Sequence, residues 1–86
     1  MNKYSIIAAI DSKVGSTKCG IWTIGVTDDP DTRKNQHANE GNNVTYWSEW
    51  KTDTEKEGRE IEKHFLDKGM KGGPGGPGNA SYVYVF

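Results

Sequence analysis

The stretch GIWTIGVTDDPDTRKNQH, residues 20–37, decides how this chain is read. Its first half, from Ile21 to Val26, is apolar and β-branched, which predicts a strand closed by the turn signal TDDP. On that strand Ile21, Thr23 and Gly25 share one face, and Trp22, Ile24 and Val26 share the other. The second half predicts a helix. Asp28 or Asp29 can cap it, Pro30 suits its first turn, Asp31 is favourable at its positive end, and Gly41 stops it. This helix has almost no apolar stripe, since only Ala38 could pack. A helix so polar is either loosely held or kept for what its side chains do. Arg33 and His37 stand four residues apart and so project from the same side. A guanidinium and an imidazole placed together can share one phosphate, the first holding charge and the second moving a proton. By spacing alone, such a pair is more often an ordinary solvated helix face.

Working outward, YSIIAAI (residues 4–10) is a short apolar run that predicts a buried strand, followed by the polar loop DSKVGSTKCG. The simplest pairing sets this run antiparallel to residues 21–26. Downstream, NVTYWSEWK alternates and is aromatic, predicting a third strand over residues 44–51. A second helix is predicted from about residue 54 to 68, with Ile61, Phe65 and Leu66 at helical spacing and Gly69 as its stop. KGGPGGPGNA breaks regular structure, and SYVYVF predicts an edge or final strand. The expected fold class is α+β: a small antiparallel sheet of three or four strands flanked by two helices, forming a single domain over residues 1–86.

Composition narrows the function classes. A chain of 86 residues buries only roughly 60–65% of its unfolded surface, so its core is thin. Eleven basic against twelve acidic residues, a formal charge of −1, disfavour a strong non-specific nucleic-acid binder but permit a local basic patch. The single cysteine, Cys19, rules out an internal disulfide and fits a reducing compartment. With no apolar run of about 18 residues and no signal-peptide pattern, the expectation is a cytoplasmic chain with no membrane span.

Other chemical signals are weaker. Glu55, Glu57, Glu60 and Glu62 form a charge run of the kind that usually coats a solvated face. Glu62 differs: it follows Ile61 and precedes Phe65 and Leu66 by three and four residues, at the edge of the buried stripe. A carboxylate there could hold a hard divalent cation. The glycine-rich GGPGGPGN lacks the following Gly-Lys-Ser/Thr and helix of a nucleotide P-loop. His37, His64 and Cys19 lack zinc-ligand spacing.

Together these residues resemble the GIY-YIG nuclease domain family, whose second-strand motif is similar to Thr23-Ile24-Gly25 in TIGVT. Arg33 and His37 follow Thr23 by ten and fourteen residues, the family's spacing. Glu62, in REIEKHFL, is similar to the family's metal-ligand glutamate, Asn79 is a candidate for its late asparagine, and Tyr4 would stand for the first motif's tyrosine. GIW at residues 20–22 only mimics that first motif, because in the family the two motifs sit on separate strands. The resemblance implies DNA phosphodiester hydrolysis with one Mg²⁺ or Mn²⁺ on Glu62, Arg33 neutralising phosphoryl charge, and a tyrosine assisted by His37 deprotonating water. It also implies a protein partner or a homodimer supplying specificity. Thr23 replaces the second tyrosine, and an aliphatic hydroxyl is a much poorer acid than a phenol of pKa about 10. Two further readings therefore stand beside it. One is a catalytically weakened or inactive module that binds nucleic acid or a protein; the other is an interaction domain presenting Tyr46, Trp47, Trp50, Tyr82 and Tyr84.

Overall fold

Asn2 accepts a hydrogen bond from the Ser5 backbone N–H at 2.9 Å and so caps a helix, α1 (Lys3–Val14), over the segment expected to be the first strand. The computed structural model, which describes residues 2–72 and 80–86, corrects that expectation and the hairpin built on it. The apolar run is too short for periodicity to separate helix from strand. Ile6, Ile10 and Val14, spaced by four, are the residues that α1 buries, and Ala8 and Ala9 carry no helix penalty. Gly15, at φ 57°, ends the helix in the left-handed region where a glycine costs least.

A single 3-10 turn at Cys19–Ile21 follows, so Gly20 does not begin a strand. Strand β1 (Ile24–Thr27) is shorter than expected and buried at all four positions. Helix α2 (Pro30–Asn39) starts as its sequence predicts, with the Asp29 carboxylate accepting from Thr32 N–H at 3.1 Å and from the Thr32 hydroxyl at 2.8 Å. No residue of α2 is buried. Residues 44–47 turn, with Trp47 N–H donating to Val44 C=O at 3.1 Å, so β2 is confined to Ser48–Lys51. Thr54 caps α3 (Glu55–Asp67), and β3 (Tyr82–Val85) closes the fold.

The sheet is three-stranded in the order β1-β3-β2, with β3 central and antiparallel to both neighbours. The expected edge or final strand is thus the middle of the sheet. Its register pairs Ile24 with Val85, Gly25 with Tyr84 and Val26 with Val83. The β1–β3 ladder continues one step beyond the strands, because Thr23 N–H donates to Phe86 C=O at 2.7 Å and Phe86 N–H returns to Thr23 C=O at 3.0 Å. Side chains alternate across the sheet. Ile24, Val26, Val83 and Val85 join Ile6, Ile10, Val14, Ile61 and Phe65 in one apolar cluster, so α1 and α3 cover that face. Each fully buried aliphatic or aromatic side chain stabilises by about 1.5–3 kcal/mol. The opposite face carries Gly25, Tyr84 and Phe86, and α2 lies against it through Arg33 and His37. Among the described residues no helix is long and apolar enough to cross a membrane. The architecture is small α+β, with three helices among the described residues in place of the expected two.

Candidate functional site

Gly25 makes the site possible. It stands directly across from Tyr84 in the β1–β3 ladder, and an ideal Cβ built on it would lie 2.3 Å from the Tyr84 hydroxyl and 2.4 Å from Cζ. The phenol therefore lies flat over the glycine, in space that a side chain would fill. Its hydroxyl then meets α2, where Arg33 Nε donates to it at 3.2 Å and His37 Nε2 lies 2.8 Å away. The four-residue spacing seen in the sequence thus brings both polar groups onto one phenolic oxygen.

The proton positions follow from the partners. Burial and the nearby Arg33 charge push the His37 pKa down, and Glu40 only partly offsets them, so a neutral imidazole is favoured. Its Nδ1 lies 3.6 Å from Glu40 Oε1, which favours the proton on that nitrogen and leaves Nε2 as an acceptor. Because Arg33 can only donate, the Tyr84 hydroxyl accepts from Arg33 and donates to His37. Burial raises the Tyr84 pKa, and the Arg33 hydrogen bond and charge pull against it, so Tyr84 is a phenol at neutral pH. A directed chain results, from Arg33 to Tyr84 to His37, with Glu40 behind it. Arg33 Nη1 also donates to Gln36 Oε1 at 3.0 Å. Two of the five guanidinium N–H donors are thus engaged in these bonds.

Thr23, Arg33, His37 and Glu62 line one small cleft with Gly25 and Tyr84. Its volume of about 40 Å³ admits a water or a metal ion and leaves larger groups at its mouth. Four of the six sequence-predicted residues therefore meet. Glu62 comes from the face of α3 that turns toward β1, and burial raises its pKa against the opposing pull of Arg59. That direction marks a carboxylate whose ionised form is under-compensated, the kind of group a cation would stabilise. Among the described residues no set of three or more His, Cys, Asp or Glu side chains could hold a metal. Mg²⁺ retains several waters and is commonly held by one or two carboxylates, so a single glutamate at a wet cleft fits it.

Tyr4 does not join the cleft. It projects from α1 at 76% exposure, which removes it from the role of first-motif tyrosine. Asn79 and the glycine-rich segment around it lie outside the described residues. Tyr84 is the residue that sequence reading missed as chemistry. It was visible only as one of the aromatics in an alternating strand. The signal that could have found it is Gly25, since a glycine inside a buried strand marks close approach by another group. Trp47 and Phe86 complete the surroundings, with Trp47 stacked on Tyr84 at 4.4 Å and Phe86 at 4.8 Å from the His37 ring. No family model, no curated protein and no solved structure matches the chain.

Proposed function

We propose that the chain is a small metal-dependent nuclease domain of GIY-YIG type, hydrolysing phosphodiesters of DNA. The observation that carries this reading is the Tyr84 hydroxyl held between Arg33 and His37 in one cleft with Thr23 and Glu62. The family pattern asks for a tyrosine on the strand paired with the Thr-Ile-Gly strand, and Tyr84 on β3 meets that requirement opposite Gly25. The chain order is rotated relative to the family, because the tyrosine-bearing strand comes last instead of first. On this reading the replacement at Thr23 leaves one phenol at the site, supplied by the other strand.

Each residue then has a distinct role. A water bound in the cleft gives its proton to the Tyr84 oxygen as Tyr84 passes its own proton to His37 Nε2. The relay conserves protons and requires no standing phenolate. Glu40 lies on the far side of the imidazole and stabilises the imidazolium that forms. The Arg33 guanidinium offers its remaining N–H groups to the phosphoryl oxygens, where negative charge grows in the transition state. Thr23 at the rim can hold a water by its hydroxyl but does not serve as a base. A divalent ion on Glu62, Mg²⁺ or Mn²⁺, would polarise a phosphoryl oxygen and stabilise the leaving oxygen.

At a formal charge of −1 the chain has no broad basic field to gather DNA, so a protein partner or a second copy would supply target selection. The test is plasmid cleavage with Mg²⁺ or Mn²⁺ by the wild type, Arg33→Ala, Glu62→Ala and Tyr84→Phe. Loss of cleavage in all three variants is expected, with fold retained by circular dichroism. Unchanged cleavage in Arg33→Ala and Glu62→Ala would refute the nuclease reading. A wild type that never cuts but shifts DNA in a salt-sensitive gel assay would favour the non-cleaving binding module.

A further inference from the structure

A second concavity opens beside the cleft. Ile21 and Trp22 from the end of the 3-10 turn, Asn43 and Tyr46 from the α2–β2 connection, and Phe86 surround an apolar notch of about 210 Å³. Three large hydrophobic side chains among the described residues are strongly exposed, and two of them, Ile21 at 65% and Tyr46 at 68%, border this notch. Leaving such groups in water at one place in so small a domain is unfavourable unless something covers them. Phe86 links the notch to the proposed active site, because its ring also lies 4.8 Å from His37 and parallel to Trp47 at 5.5 Å. The polar groups at the notch are the Tyr46 hydroxyl and the Asn43 amide. The Asn43 Oδ1 accepts from Thr45 N–H at 3.0 Å, which fixes the amide and leaves its NH₂ to donate elsewhere. Trp22 Nε1 is already engaged with the Thr17 hydroxyl at 2.8 Å, so Trp22 offers its ring and not its N–H.

We infer that this notch receives one unstacked nucleobase of the nucleic acid whose phosphate Arg33 holds. The inference rests on the nuclease reading for the identity of the neighbouring ligand. A notch lined by the rings of Trp22, Tyr46 and Phe86, with the Asn43 amide and the Tyr46 hydroxyl to meet a heterocycle's polar edge, suits a base. The continuity of the notch with the cleft through Phe86 fits a ligand joining a base to a phosphate. A base inside a duplex has both faces covered, so the notch selects substrate that is single-stranded or locally unpaired near the cut. Stacking of this kind tolerates any base, because every base offers a π-face.

The experiment measures binding by fluorescence anisotropy in Ca²⁺ without turnover, using three labelled probes: a ten-nucleotide oligothymidine, the same strand with abasic sugars, and a ten-base-pair duplex. The wild type should bind the oligothymidine at least about tenfold more tightly than the abasic strand or the duplex. Tyr46→Ala, a change at an exposed position, should remove most of that preference, since loss of one stack weakens binding about 5- to 160-fold. Arg33→Ala should weaken all three probes alike. If Tyr46→Ala and the abasic strand both match their references while Arg33→Ala binds poorly, the notch proposal fails and the phosphate site stands. If the wild type prefers the base-bearing strand and Tyr46→Ala loses that preference while Arg33→Ala changes nothing, the notch stands and the nuclease reading fails; a preference that Tyr46→Ala retains overturns the notch. Equal binding of all probes by the wild type, or binding of none, overturns the proposal.

Discussion

Substituting Gly25 by alanine adds a single methyl group, yet it strikes the center of the site. Gly25 is not among the glycines with positive φ, so its backbone accepts an L-residue without strain. In a strand interior the change should even help by about 0.5–1 kcal/mol, because alanine loses less conformational entropy than glycine on folding. Against this stands the Tyr84 ring, with the new Cβ 2.3 Å from Oη, 2.4 Å from Cζ and 2.8 Å from Cε2. Relief requires the phenol to move by roughly 1 Å or more, and overpacking of this type costs about 1–3 kcal/mol. The movement also breaks the 2.8 Å and 3.2 Å contacts of Oη with His37 and Arg33, and a misplacement near 1 Å costs on the order of 100-fold in rate. Thermal unfolding should show Tm lower by roughly 4–8 °C for each kcal/mol in a domain of this size. The decisive comparison is the Tyr84→Ala background, where the obstacle is gone and Gly25→Ala should be neutral or stabilising. An equal cost of Gly25→Ala in both backgrounds would refute the claim that Tyr84 occupies the glycine's missing side chain.

Three further outcomes follow from the same structure. Ile10→Ala should lower unfolding free energy by about 2–5 kcal/mol in urea titrations, while Tyr4→Ala should stay within about 0.5 kcal/mol, because Ile10 is fully buried on α1 and Tyr4 is exposed. Thr54→Ala should cost about 0.5–2 kcal/mol by removing the cap that accepts from Glu57 N–H. The pKa of His37 is depressed in the folded chain, so its contribution to stability is fully present above the unfolded value of about 6.5 and is lost as pH falls through the folded value. Stability measured across that range should therefore drop less steeply on acidification in His37→Gln than in the wild type.

The helices α2 and α3 were legible in the sequence because their signals are local. Asp29 with Pro30, Thr54 with Glu57, and the stops at Gly41 and Gly69 each act within one turn. Four of the six candidate residues, Thr23, Arg33, His37 and Glu62, were likewise legible from position and spacing, and they do converge. What escaped was long-range. YSIIAAI satisfies a strand's alternation and a helix's four-residue step equally, and only packing of Ile6, Ile10 and Val14 into the common core decides between them. With that segment helical, Tyr4 lies out on α1, and the phenol that does reach the cleft, Tyr84, lies 51 residues from Arg33 in sequence. No local pattern joins Tyr84 to Arg33 and His37; the β1–β3 register does so by setting Tyr84 against Gly25.

The most direct measurement is the rate at which the purified chain nicks plasmid DNA in Mg²⁺, compared among wild type, Tyr84→Phe and Tyr4→Phe. Tyr84→Phe removes one oxygen from the relay and leaves the ring over Gly25. The rate should fall by about 10²- to 10⁴-fold, the share that a positioned acid–base group contributes, with the circular dichroism spectrum retained. Tyr4→Phe, out on α1, should cut at the wild-type rate. Cleavage by Tyr84→Phe at the wild-type rate, or no metal-dependent cleavage by the wild type itself, would contradict the assignment of this cleft.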